Sequence, residues 1–263
     1  MKSNNLEWKD KIWVHFVGAG CGAKDLITVR GARLLEQADV VIYAGSLVNP
    51  ELLEYCPEAE IHNSAFMTLE EVLDVMEQAV SQKKQVVRLH TGDPSVYGAI
   101  REQMDALDEK GIRYETCPGV SACFGAAASL DLEFTLPGIS QSLIITRMAG
   151  RTDVPELESI ERFASHQATM AIYLSTSMLG KLSEQLIAGG YQADTPAAIV
   201  YKASWPEEEK YITTVSKLEA TANAHQITKT ALILVGDVIK TSHYEKSRLY
   251  AEDFSTEYRE AKR

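Results

Sequence analysis

A glycine-rich segment follows the first apolar run of the chain, and its Gly18, Gly20 and Ala23 match the loose GxGxxA form of a dinucleotide-binding turn. Such a turn brings backbone N–H groups up to a pyrophosphate when a helix opens inside the motif and an acid closes the second strand to hold the ribose. Neither condition is met here. The next helix is expected only from Thr28, and the second strand runs out in Val41, Ile42, Tyr43, Ala44 and Gly45 without Asp or Glu. The same glycines have another reading, a tight turn close to a second stretch of backbone. Asp93 followed by Pro94 also reads two ways, as a carboxylate capping a helix that begins with proline or as part of a ligand-binding wall.

Other kinds of chemistry are poorly supplied. Cys21, Cys56, Cys117 and Cys123 form no CxxC pair, and the six histidines show no HExxH or HxxxH spacing, so no protein metal site is expected. No Ser/His/Asp or Cys/His arrangement suggests a covalent nucleophile. The 26 basic and 37 acidic residues give a net charge of -11, which repels nucleic acid in the absence of a basic patch. An acidic ligand would have to be met by a few placed arginines or by backbone N–H groups. With 45% hydrophobic residues, no membrane-length apolar stretch and a polar start at residues 1–11, a soluble cytoplasmic protein is expected.

The elements that must hold these residues alternate. Strands are expected at 12–17, 39–44 and 86–90, with helices at 28–37 and from Thr68. There Thr68 and Glu71 form a capping box, and Leu69, Val72, Leu73, Met76 and Val80 share one face. Pro94 is expected to open a further helix with Tyr97, Ile100, Met104 and Leu107 inward, ending near Gly111. This βαβα pattern predicts an N-terminal α/β domain, 1–117, with a mainly parallel sheet. The pattern breaks at Pro118 and Gly119, where a small-residue helix over 121–129 follows. A second α/β domain, 118–240, is expected to carry strands at 143–146, 169–174, 197–201, 210–215 and 231–235, with helices near 155–164 and 178–188. The short link before 210–215 predicts a hairpin and hence a mixed sheet. Residues 241–263 read as a surface extension.

The whole loop Val17-Gly18-Ala19-Gly20-Cys21-Gly22-Ala23-Lys24-Asp25-Leu26-Ile27-Thr28 resembles the signature that opens the tetrapyrrole methylases. Thr91-Gly92-Asp93-Pro94, Pro118-Gly119-Val120-Ser121-Ala122, Tyr173-Leu174-Ser175 and Thr230-Ala231-Leu232-Ile233-Leu234-Val235-Gly236 resemble the family's other signatures in the same order. Tyr43-Ala44-Gly45-Ser46-Leu47-Val48, Gly150-Arg151-Thr152-Asp153-Val154-Pro155-Glu156 and Tyr201-Lys202-Ala203-Ser204-Trp205-Pro206 are most similar to the branch that methylates C11 of precorrin-4 or cobalt-precorrin-4. Uroporphyrinogen III methylases carry an aspartate where this chain has Ala44. The chain departs from the family where a proline is replaced by Cys21 and an Asp-Pro by Ala23-Lys24.

The resemblance implies two α/β domains with S-adenosylmethionine, leaving as S-adenosylhomocysteine, in a cleft between them, a homodimer, and a tetrapyrrole substrate. It places Cys21, Thr91, Gly92, Asp93, Val96, Ser121, Ala122, Leu174, Ala203 and Ala231 against the cofactor. Methyl transfer from a sulfonium to a ring carbon chiefly demands alignment, worth roughly 7 to 11 kcal/mol of barrier, so no dedicated nucleophile is required. The acetate and propionate groups of the substrate call for cations, and Arg147 and Arg151 are the candidates, the alternative being solvated surface arginines. Tyr43 and Ser46 are candidate contacts with the macrocycle. His90 reads as a proton shuttle or, more simply, as a structural histidine. Rival readings are a methylase of another ring position, a diphthine synthase, a nicotinamide-dependent oxidoreductase and a non-catalytic tetrapyrrole carrier.

Overall fold

A computed structural model describes residues 11–45 and 47–262. The chain divides into two compact units, one built on the residues up to Ala126 together with Ala203–Glu207, the other on Ala127–Lys202 together with the residues from Glu208. Where the sequence reading draws a junction at Pro118, these units part after Ala126, and a short segment of the later chain joins the first.

In the first unit β1 (Val14–Gly18), β2 (Val40–Tyr43), β3 (Glu60–Asn63), β4 (Val86–His90) and β5 (Tyr114–Cys117) form one sheet in the order β3-β2-β4-β1-β5. Every neighbouring pair is parallel. Parallel strands need crossovers, which helices α1 (Val29–Glu36), α2 (Leu69–Ser81) and α3 (Arg101–Glu109) help to provide. A sheet covered on both faces calls for near-continuous apolar strands, as β2 is, while β4 buries Arg88 and His90 among its apolar residues. Val14, Phe16, Ile42 and Val86 pack with Val72, Leu73 and Met76 of α2 and Leu107 of α3. Val17, Val41, Val87 and Leu89 point the other way and pack with Leu35 of α1 and Leu52. Full burial of each such side chain is worth about 1.5–3 kcal/mol. Strands β3 and β5, absent from the sequence expectation, are the edges, and their sequences EIHN and YETC lack the apolar run that reveals a central strand.

Both early helices start where the sequence places them, each opened by a threonine cap. The Thr28 hydroxyl accepts the Gly31 N–H at 3.1 Å and opens α1. Thr68 and Glu71 form the reciprocal box, with Glu71 N–H on the Thr68 hydroxyl at 3.2 Å and Thr68 N–H on the Glu71 carboxylate at 2.7 Å. The helix expected from Pro94 is a correction. Tyr97 (φ 57) and Ala99 (φ 48) are left-handed, which a right-handed helix cannot contain, and α3 begins at Arg101. Tyr97, expected inward, is 45% exposed, while Ile100, Met104 and Leu107 do face the core.

In the second unit β6 (Leu143–Arg147), β7 (Thr169–Tyr173), β8 (Pro196–Tyr201), β9 (Glu209–Thr214) and β10 (Ala231–Val235) run in the order β6-β7-β10-β8-β9. Only β6 with β7 is parallel, so the sheet is mixed. The expected hairpin is β8 with β9, and Ile199 stands opposite Tyr211. Following α4 (Ala122–Ser129), the helices are α5 (Ile160–Ala164), α6 (Leu179–Ala188) and α7 (Leu218–Ala224). Leu182 and Leu186 of α6 pack with Met170, Ile172, Ile199 and Ile233 of the sheet. In place of one helix over 155–164 the chain makes a 3-10 turn, Glu156–Glu158, and restarts at Ser159, whose hydroxyl caps α5. Beyond residue 240 the described chain carries one 3-10 turn, Arg248–Tyr250.

Candidate functional site

In the first unit, β4, β1 and β5 lie side by side and end at one edge of the sheet, where open α/β sheets place their ligands. The loops leaving these strands meet at glycines. Gly20 and Gly92 exchange backbone hydrogen bonds, Gly92 N–H to Gly20 C=O at 2.9 Å and Gly20 N–H to Gly92 C=O at 3.2 Å. A Cβ on Gly119 would lie 2.2 Å from the Gly92 oxygen, and one on Gly18 would lie 2.6 Å from the Gly119 Cα. Only chain without side chains can pack this closely, which is the close-backbone reading of the glycine motif. The dinucleotide reading fails on geometry. A 3-10 turn, Lys24–Leu26, follows the glycines, α1 opens only at Val29, and β2 ends at Tyr43 without an acid.

Asp93 ties the β4 loop to the β5 loop. One carboxylate oxygen accepts the Gly119 N–H at 2.8 Å, and the other accepts the Ser95 N–H at 2.9 Å and the Ser95 hydroxyl. Burial by itself would raise this carboxyl. The Ser95 hydroxyl, the Gly119 N–H and the Ser95 N–H outweigh burial and hold it below its ordinary value. Asp93 therefore caps a turn rather than a helix. Thr91 ties the same loop to the β2 loop by donating to the Leu47 C=O at 2.9 Å.

The first unit gathers most of the expected cofactor residues. Ser121 and Ala122 face Gly92, where an added Cβ would meet Ser121 Cα at 3.5 Å. Val96 donates its N–H to the Asp93 C=O at 3.1 Å. Cys21 and Ala203 are buried side by side against Gly125 of α4, where an added Cβ would stand 2.6 Å from the Cys21 sulfur and 3.6 Å from the Ala203 Cβ. Tyr43 ends β2 half-buried, and Ser46 lies outside the described residues.

The second unit holds the others. Leu174 follows β7 in a left-handed conformation (φ 52) and is 63% exposed. Ala231 opens the neighbouring β10, and its C=O accepts the Thr176 hydroxyl at 3.1 Å, so these two positions share one end of the sheet. The two arginines differ. The Arg147 guanidinium donates to the carbonyls of Met148 and Thr152, each at 3.1 Å, and of Asp153 at 2.8 Å, bracing the loop that carries Arg151. Arg151 is exposed and has no ion pair among the described residues.

His90 is buried and stacks on Phe16 with ring centroids 6.1 Å apart, and its Nε2 has no hydrogen-bond partner among the described residues. Burial, and after it the Arg88 guanidinium, push the imidazole down to about 3, so it stays neutral and is of little use as a proton shuttle near pH 7. Arg88 donates to Gln103 Oε1 and the Ile42 C=O, both at 3.2 Å. No group of three His, Cys, Asp or Glu placed to hold a metal occurs among the described residues. No described helix is long and apolar enough to cross a membrane.

Sequence reasoning missed Asn49, and it named Ser204 and Trp205 only as part of the segment from Tyr201 to Pro206. With Ala23 and Lys24 of the glycine loop they line a cavity of about 420 Å³. The segment holding Ser204 and Trp205 was visible as a motif, but its attachment to the glycine loop has no local signal.

Residues 13–219 match the family of tetrapyrrole (corrin/porphyrin) methylases. The chain is 53% identical over 249 residues to the cobalt-precorrin-4 C(11)-methyltransferase of Methanocaldococcus jannaschii, covering 94% of this chain and 96% of that protein. It is 45% identical to the precorrin-4 C(11)-methyltransferase of Pseudomonas aeruginosa, covering 94% and 98%. The X-ray structure of a cobalt precorrin-4 methyltransferase, a cobalamin biosynthetic enzyme, is 42% identical and superimposes with a TM-score of 0.86, covering 92% of this chain and 100% of the other.

Proposed function

This chain belongs to the tetrapyrrole methylases, and on that premise we propose that it transfers the methyl group of S-adenosylmethionine to C11 of precorrin-4 or cobalt-precorrin-4 in cobalamin biosynthesis. The observation that carries the reading is identity of 53% along nearly the full length of a C11 enzyme. We assign the cofactor to Cys21, Thr91, Gly92, Asp93, Val96, Ser121, Ala122 and Ala203, together with Leu174 and Ala231. Tyr43, Ser46, Arg147 and Arg151 are assigned to the substrate. The acting form is a homodimer in the cytoplasm.

The residues present suit such a cofactor. The cradle of β4, β1 and β5 is lined by glycine, alanine and serine, and a Cβ at Gly92 would already touch Ser121 Cα at 3.5 Å, so a ligand at this wall meets backbone and short side chains. S-adenosylmethionine supplies, when bound, a methyl group already activated by its sulfonium. The protein's task is then alignment, and rigid loops suit it because a misplacement of about 1 Å can cost a hundredfold in rate. Asp93 supplies that rigidity. Its carboxylate, ionised near neutral pH, accepts three hydrogen bonds from within the chain, and a carboxylate offers about four acceptor positions, so roughly one is left for a ligand donor. The small, largely apolar walls exclude water from a reaction that disperses positive charge. Arg151, on the loop braced by Arg147, is available to pair with a substrate carboxylate in a bidentate way.

Incubation with isotopically labelled S-adenosylmethionine and precorrin-4, with and without cobalt, followed by carbon NMR, tests the reading. Label on C11 is expected. Label on another ring carbon would keep the family and discard the position.

A further inference from the structure

Ala203–Glu207 follows β8 in the chain yet is part of the first compact unit. Its attachment to the glycine loop is specific. The Ser204 hydroxyl oxygen accepts the Ala23 N–H at 3.0 Å and lies 3.3 Å from the Cys21 sulfur, within hydrogen-bonding range for a thiol. One residue on, the Trp205 indole rests directly on Gly22, where an added Cβ would be 2.3 Å from its Cδ1. The Gly22 C=O accepts a hydrogen bond from the buried Asn49 amide at 3.0 Å. Ser204 keeps this position at φ 65, a conformation costly to a residue with a side chain, and Lys202 beside it is also left-handed at φ 46.

The consequence falls on neighbours. Cys21 and Ala203 stand side by side against Gly125, and each adjoins an atom that Ser204 ties down: Cys21 through its own sulfur, Ala203 through the peptide bond. We propose that Ser204 is a positioning residue for the methyl-donor site, its hydroxyl joining the Ala203–Glu207 loop to the glycine loop so that Cys21 and Ala203 are presented together. This rests on the assignment of Cys21 and Ala203 to the cofactor. Ser204 acts through them, so its removal changes cofactor binding and leaves the tetrapyrrole site alone. The strained φ is the second part of the inference. A glycine at 204 would adopt it more easily, so if backbone shape alone mattered Ser204→Gly would be neutral or better.

Titration calorimetry with S-adenosylhomocysteine, steady-state kinetics and melting curves on the full chain and on Ser204→Ala, Ser204→Gly and Ser204→Cys test this. Ser204→Ala leaves the Ala23 N–H without its acceptor and is expected to raise the Kd for S-adenosylhomocysteine, and the KM for S-adenosylmethionine, on the order of tenfold. The KM for the tetrapyrrole should stay within twofold. Ser204→Gly should lose as much, and Ser204→Cys, which keeps a weak acceptor, should fall between. Normal cofactor affinity in Ser204→Ala, or in Ser204→Gly if the alanine variant does not fold, overturns the proposal. Equal loss of cofactor and tetrapyrrole affinity also overturns it, because that is general destabilisation. Failure of the unaltered protein to bind S-adenosylhomocysteine would instead sink the cofactor assignment itself.

Discussion

The Asp93 carboxylate accepts the Gly119 N–H at 2.8 Å across 26 residues of sequence, and this one bond joins the loops leaving β4 and β5. Removing it should act on the ligand and not only on the fold. Asp93→Ala is expected to weaken S-adenosylhomocysteine binding by more than its fall in melting temperature accounts for, with calorimetry and melting read together. A lower melting temperature with unchanged affinity would reduce Asp93 to a turn cap.

The same carboxyl sets an acid limit. Its value in the folded protein is below the ordinary one, so its stabilising effect is fully present above the unfolded value, near 3.8, and is lost as pH falls further through the folded value. Asp93→Asn should therefore flatten the pH dependence of stability below about pH 4, measured by urea unfolding. Parallel profiles for the two proteins would contradict this.

His90 predicts a change at higher pH. Its folded value, about 3, lies below the unfolded value of 6.5, so the buried ring must stay neutral while the unfolded chain takes up a proton. Its contribution is complete above pH 6.5 and declines as pH falls, by up to about 1.4 kcal/mol per unit, until the folded value is reached. His90→Phe should remove one proton's worth of that slope between pH 6.5 and 4. An unchanged slope would mean that His90 finds a partner for its charge.

Glycines at loop contacts and at plain turns should respond differently. Gly119→Ala places a Cβ 2.2 Å from the Gly92 oxygen, so backbone must move, whereas Gly111→Ala meets nothing within 4 Å and suffers only from its φ of 64. Overpacking costs about 1–3 kcal/mol, added to whatever the site loses, while a left-handed alanine costs roughly 1–2 kcal/mol. Gly119→Ala should be the less stable variant in urea and should lose S-adenosylhomocysteine binding, which Gly111→Ala keeps. The reverse order would remove the three-loop contact as an explanation for these glycines.

Arg147 and Arg151 should separate in kinetics. Arg151→Ala is expected to raise the KM for the tetrapyrrole severalfold with melting temperature and cofactor affinity unchanged, as for a single exposed charge-assisted contact. Arg147→Ala frees three loop carbonyls and should lower the melting temperature as well. An unchanged KM in Arg151→Ala would return that residue to the solvated surface.

Much of the fold was legible because its signals are local. A central strand that must be apolar on both sides announces itself as β2 does, and a hydroxyl that caps its own helix acts over three residues, as Thr28 and Thr68 do. The edge strands β3 and β5 were not legible, since half-solvated strands need no such run. Family motifs gathered the candidate site residues in order, and the tertiary structure brings Gly92, Ser121, Cys21 and Ala203 together in the first unit. What the chain alone did not determine is what each of them touches. Pro94 is locally fit to open a helix, but the Asp93 carboxylate that would cap it turns instead to Gly119 and to Ser95, and the helix waits until Arg101. Ser204 and Ala23 are 181 residues apart, and Arg147, expected to meet a substrate carboxylate, donates to three carbonyls of its own loop. Such contacts depend on the closing of long loops and on which donor lies nearest once the strands are stacked, and no spacing or propensity within one segment carries that information.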